Sequence, residues 1–130
     1  MAPEIEITIR GGDDVGGVRR FDPEGGLQGS VRITPDSDLK CKHIFVRARW
    51  YTEGRGDKDE GVGDEQDLFQ GELRADVPAY YRYHLKLPQE PWSYAGRYVN
   101  IIWEVEASID LTWARDPRAS ELIIMAYSRK

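Results

Sequence analysis

The chain has 130 residues, 40% hydrophobic and 32% charged, with one cysteine and a formal charge of -5. That is length for one domain with its own core, while the acidic balance (pI near 5.1) excludes a protein built to grip phosphate backbones. A lone Cys41 excludes an intrachain disulfide and points to a reducing compartment.

The opening Met-Ala-Pro-Glu-Ile-Glu has neither the basic start nor the apolar run of a secretory leader. No apolar run approaches the roughly 20 residues that span a bilayer. The expectation is a cytoplasmic protein without a transmembrane segment.

Glu4 to Arg10 alternates, with Ile5, Ile7 and Ile9 on one face, and predicts a first strand. Gly11 to Gly26 holds six of the thirteen glycines and reads as a connection, with room for a short strand at Val18 to Phe21. Leu27 to Thr34 is the next strand; Gly29 inside it marks a bulge or a close backbone approach. Pro35 to Asp38 turns the chain into Lys42 to Thr52. There Ile44, Val46, Ala48 and Trp50 face inward, and His43, Phe45, Arg47, Arg49 and Tyr51 face outward.

Residues 53–67 carry seven acids against two bases, a local charge of -5 equal to that of the whole chain. Such a stretch builds no core and predicts a mobile acidic surface loop. Leu68 to Ala75 and Tyr80 to Leu87 are further strands, the latter with Tyr81, Tyr83, Leu85 and Leu87 inward. The Pro91 to Leu111 stretch begins with a turn at Pro91 and Gly96. It continues as a long strand with Val99, Ile101, Trp103, Val105, Ala107 and Ile109 on its dry face. Asp110 to Ser120 reads as a crossing and Glu121 to Tyr127 as the last strand. No ten-residue helical pattern occurs. The sum is an all-β chain: a single-domain antiparallel β-sandwich of immunoglobulin-like kind over residues 1–130.

Several stretches together resemble the arrestin clan, in its small bacterial branch near the sporulation-control proteins. They are Gly26-Leu-Gln-Gly-Ser-Val-Arg-Ile33, Leu68-Phe-Gln-Gly-Glu-Leu73, Pro91-x-Ser93-Tyr94-x-Gly96 with Ile102-Trp-Glu-Val105 and Ile109-Asp110, and Trp113-Ala-Arg-Asp116. Their order along the chain carries the resemblance. It implies an arrestin-like sandwich acting as an adaptor or scaffold rather than an enzyme. Clan members usually hold two such sandwiches in tandem and this length suffices for one, which implies an exposed or self-associating surface, a homodimer.

The residues offer few assembled sites. His43 and His84 face outward with no ligand-spaced neighbour, and Cys41 has only Lys40 and Lys42 beside it. Asp57-x-Asp59-x-Gly61 is a fragment of a calcium loop without its bidentate glutamate. No Gly-x-Ser-x-Gly or His-Glu-x-x-His is present. No catalytic residue, metal, cofactor or nucleic acid is expected. Three binding modes stay open: an open strand edge, the acidic loop through Asp57, Asp59, Glu60, Asp64 and Glu65, or the turn aromatics Trp92 and Tyr94. The loop favours a protein partner with a basic surface. The alternative is a carbohydrate-binding sandwich that stacks sugar rings on Trp92, Tyr94 and Tyr80. Arg47 and Arg49 alternate in step with Glu104 and Glu106, so neighbouring strands would place them in a cross-strand charge ladder, a device for register rather than energy.

Overall fold

The structure, a computed structural model, describes residues 3–56, 58–112 and 114–128. The alternating stretches become ten strands, and no helix occurs among the described residues. They are β1 (Glu4–Arg10), β2 (Asp13–Val15), β3 (Val18–Phe21), β4 (Gly26–Thr34), β5 (Leu39–Gly54), β6 (Glu60–Leu73), β7 (Ala79–Lys86), β8 (Tyr94–Ala95), β9 (Val99–Leu111) and β10 (Arg118–Met125).

Two sheets pack face to face. The smaller has the order β1-β4-β7; the larger has the order β2-β3-β10-β9-β5-β6, with β8 added on β9. Between them lie the inward residues of each strand. Leu27, Val31, Ile33, Ile44, Val46, Ala48, Leu85, Trp103, Val105, Ile109 and Met125 are wholly buried. Their period of two, read against one dry face, sets the register. Trp103 at the centre gives its indole N–H to the Pro91 carbonyl at 2.7 Å, so its one polar atom is satisfied.

Of the bulge and the close approach expected at Gly29, the structure has the close approach, with no register shift in β4. A Cβ there would stand 1.9 Å from the Thr8 carbonyl oxygen and 2.6 Å from the Tyr83 hydroxyl. The missing side chain lets Tyr83 reach across β4 from β7 and donate to the Thr8 oxygen of β1 at 2.9 Å. One buried hydroxyl thus ties all three strands of the smaller sheet. Burial pushes its pKa well above the ordinary tyrosine range.

Four expectations change. The sandwich is not wholly antiparallel, because β3 runs parallel to β10, with Arg19 opposite Ile123 and Phe21 opposite Met125. The final strand starts at Arg118, inside the expected crossing, and β2 was not foreseen. Most of the expected mobile loop over 53–67 is sheet. β5 runs to Gly54 and β6 begins at Glu60, leaving residues 55–59 between them.

The reason lies across the strands. Glu60 stands opposite Tyr51, Glu65 opposite Arg47 and Asp67 opposite Phe45, so the outward acids meet the cationic and aromatic residues of β5. A count of charge along the chain does not register this pairing.

The inward acid and amide do something else. Asp64 accepts the Lys86 N–H and Gln66 accepts the His84 N–H, each at 2.8 Å. These side chains cap two backbone donors on the edge of β7 and join the two sheets there, which closes the His84–Lys86 end of that edge.

Candidate functional site

The charge ladder forms as its alternation predicts, on the outer face of the larger sheet. Arg47 is opposite Glu106 and Arg49 opposite Glu104 across the β5–β9 pair. Arg49 donates to Glu104 at 3.2 Å and to Glu60 at 3.0 Å, and lies 4.0 Å from Glu106. Arg47 bonds Glu65, donates to Ser108 Oγ at 3.1 Å, and lies 3.7 Å from Glu106.

This face is less wet than alternation implies. Glu104 and Glu106 keep only 7% and 8% of their surface, so the two carboxylates lie beneath the guanidinium groups rather than beside them in water. Burial alone would lower the Arg49 pKa. The hydrogen bond Arg49 donates to Glu104 and the charges of Glu104, Glu106 and Glu60 outweigh it and hold the group above its usual range. Partial desolvation makes such a ladder costly to break, because removing one partner leaves the other charge buried and uncompensated.

Beyond Arg49 the ladder gives way to a hollow lined by Tyr51, Glu53, Lys58, Asp59, Glu60 and Glu104, about 780 Å³ in volume. Its field is negative. The Tyr51 hydroxyl is held above its ordinary range, first by burial, then by Glu104 and Glu53, with Arg49 opposing. Asp59 closes the strand end, its backbone N–H donating to Thr52 Oγ at 2.8 Å and its carboxylate accepting the Glu60 N–H at 2.9 Å.

On the other side of β9 the sheet splits. β10 stays on β9 as far as the Ile123–Trp103 pair, then leaves it for β3, while β8 takes the vacated edge at Asn100 and Ile101. The parting leaves an apolar cleft of about 420 Å³ lined by Val18, Tyr94, Ala95, Ile102, Leu122 and Ile124 among others. Its far end is shut where Ser93 N–H donates to the Met125 carbonyl and Met125 N–H donates to Ser93 Oγ. Leu122 is 54% exposed and Tyr94 56% exposed at its rim.

The expected site residues therefore separate. Asp59 and Glu60 line the hollow, and Tyr94 lines the cleft. Glu65 is bound to Arg47 and Asp64 is occupied in joining the sheets. Trp92 lies outside both, its ring edge-on to Tyr127 at 5.1 Å and its N–H on the Gln89 carbonyl. Asp57, and Trp113 of the last resembling stretch, lie outside the described residues.

Tyr80 stands on the smaller sheet, whereas Tyr94 pairs with β9 of the larger one, so the rings named for sugar stacking form no common platform. The cleft itself was missed. Its signal was present in Leu122-Ile-Ile-Met125, apolar at both parities, and in Ile102, the one apolar residue on the wet side of its strand.

No group of three or more potential metal-ligating side chains occurs among the described residues. Nor does any helix there have the length and apolarity to cross a membrane.

Two sheets in this order, closed over one core and carrying a long hairpin beside a central strand, define an arrestin-like β-sandwich. Among solved structures the chain is similar to the crystal structure of Spo0M, sporulation control protein, from Bacillus subtilis, with a TM-score of 0.75 at 10% identity. The match covers 98% of this chain and 51% of that one, so the chain spans about half the length of its structural relative. At that identity the likeness is one of fold. No family model matches the sequence, and no curated protein matches it.

Proposed function

We propose that this chain is a non-catalytic interaction module, an adaptor or scaffold of arrestin-like fold that acts by holding another protein. The observation that carries the reading is the outer face of the larger sheet. It joins exposed leucine and tyrosine around an apolar cleft to an ordered array of ion pairs and a negative hollow. Contiguous apolar surface bordered by charge is the composition of a protein-docking site. The Spo0M likeness supports the fold on which the reading rests, while the function is argued from the face itself.

The test is affinity capture from the native lysate with the folded chain immobilised, repeated with excess free chain as competitor. A partner retained in near-stoichiometric amount and displaced by the free chain supports the module reading. Retention of nothing refutes it, and retention only of further copies of the chain refutes it in favour of self-assembly. Replacing residues 54–66 wholesale is not a usable control, because it would remove the first half of β6 and the Asp64 and Gln66 links to β7.

A further inference from the structure

We infer that the cleft between β9 and β10 and the acidic hollow beside β5 form one continuous docking site for a short partner segment. That segment carries a large apolar side chain with lysine or arginine close by. The inference rests on the interaction-module reading and specifies its surface and the chemistry of its partner.

The two halves are neighbours through β9. Ile102 lines the cleft and stands opposite Tyr51, which lines the hollow; Asn100 lines the cleft and stands opposite Glu53 of the hollow. Glu104 belongs to the hollow and pairs with Leu122 of the cleft. Neighbouring strands lie about 4.8 Å apart, so the centres of the two depressions are separated by roughly 10 Å. Side chains two to four residues apart in one peptide reach across that gap in either extended or helical form.

Each half selects one kind of group. The cleft offers a 420 Å³ space walled by isoleucine, leucine, valine and alanine, enough for one aliphatic or aromatic side chain. Its edges carry few polar atoms; Ser93 is engaged with Met125, and Asn100 accepts the Gly96 N–H.

The hollow carries Glu53, Asp59, Glu60 and Glu104 against Arg49 and Lys58. Arg49 is already shared between Glu104 and Glu60, which leaves Glu53 and Asp59 facing the hollow without an arginine among the described ion pairs. An incoming cation completes that balance, and an incoming carboxylate meets like charge. Charge complementarity therefore selects a basic partner, and the cleft gives it an anchor.

The experiment is selection from a display library of random short peptides on the immobilised full chain, with binding then measured by fluorescence anisotropy. Two variants serve as comparison. Leu122→Asn alters an exposed rim residue, and Glu53→Gln with Asp59→Asn removes charge while keeping the hydrogen-bonding shapes. Circular dichroism establishes that both fold.

The expected peptides pair a Leu, Ile, Met or Phe with Lys or Arg within four positions. Leu122→Asn weakens them about tenfold, and the charge-neutral variant weakens them about fivefold with a flattened salt dependence. Enrichment of acidic or purely polar peptides, equal binding to both variants, or no enrichment overturns the inference. So does sedimentation showing a dimer that Leu122→Asn dissociates, because the occupant is then a second copy. In each of these cases a partner caught from lysate and displaced by free chain still upholds the broader module reading.

Discussion

Replacing Arg49 with methionine removes the centre of the outer-face ladder and leaves Glu104 beneath an apolar side chain. The Glu104 side chain is 9% exposed and that of Arg49 21%, whereas Glu60, the other partner of Arg49, is 75% exposed. Breaking a fully buried ion pair costs about 3–5 kcal/mol because one charge stays uncompensated; an exposed pair contributes about 0–1 kcal/mol. The Arg49–Glu104 pair sits between these limits, since water still reaches one side of the guanidinium. Arg49→Met should therefore destabilise by about 2 kcal/mol, screening included.

A double-mutant cycle with Glu104→Gln should return a coupling of about 1–2 kcal/mol, and the same cycle with Glu60→Gln less than about 0.5 kcal/mol. Urea unfolding followed by far-ultraviolet circular dichroism gives all the quantities needed. Couplings of equal size in the two cycles would refute the reasoning, because they would show that burial of Glu104 does not decide the worth of the pair.

Gly29→Ala places a methyl group 1.9 Å from the Thr8 oxygen; thermal melts should show a loss of about 3 kcal/mol or more, or failure to fold. Tyr83→Phe deletes the hydrogen bond to Thr8 and should cost about 1 kcal/mol at neutral pH by the same melts. The pH dependence follows from its raised pKa. The unfolded chain ionises Tyr83 near the ordinary value of about 10 while the folded chain does not, so this stability is present below that pH and declines above it. Stability against pH should therefore fall less steeply on the alkaline side for Tyr83→Phe than for the native chain, with Cys41, Tyr51 and Tyr81, also raised, contributing further slope. Asp64→Ala with Gln66→Ala frees the Lys86 and His84 N–H groups; light scattering should show faster aggregation, with about 1–2 kcal/mol lost in urea unfolding.

What was legible in the sequence was whatever a single strand encodes by itself. The alternation of β4, β7 and β9 gives their dry faces residue by residue, and Gly29 announced a bulge or a close approach, of which the unbroken register of β4 leaves the second. The ladder of Arg47, Arg49, Glu104 and Glu106 was readable from matching alternations on condition that the two strands are neighbours; their adjacency and register came from the fold. The nature of 60–67 was not, because its acids make sense only once β5 and β7 are in place to receive them. Nor was the parallel β3–β10 pair, whose partners share no local signal. The cleft was hidden for a related reason: it arises where β10 changes neighbour, and a change of neighbour leaves no mark on period two. Trp92 and Tyr94, conspicuous as turn aromatics, turned out to stand in different settings, one packed on Tyr127 and one at the cleft.

The β3–β10 pairing bears on how the chain is made. Val18–Phe21 leaves the ribosome early, yet its hydrogen-bonding neighbours, Ile123 to Met125, follow about a hundred residues later. Arg20, which reaches the Ala126 carbonyl at 2.6 Å, waits as long for its acceptor. During synthesis the β2–β3 hairpin has no sheet to join, and β9, once translated, exposes the flank that β10 will cover. Until β10 has been made and released, the central tryptophan strand thus stays bare along the flank that β10 covers, and the larger sheet cannot be completed.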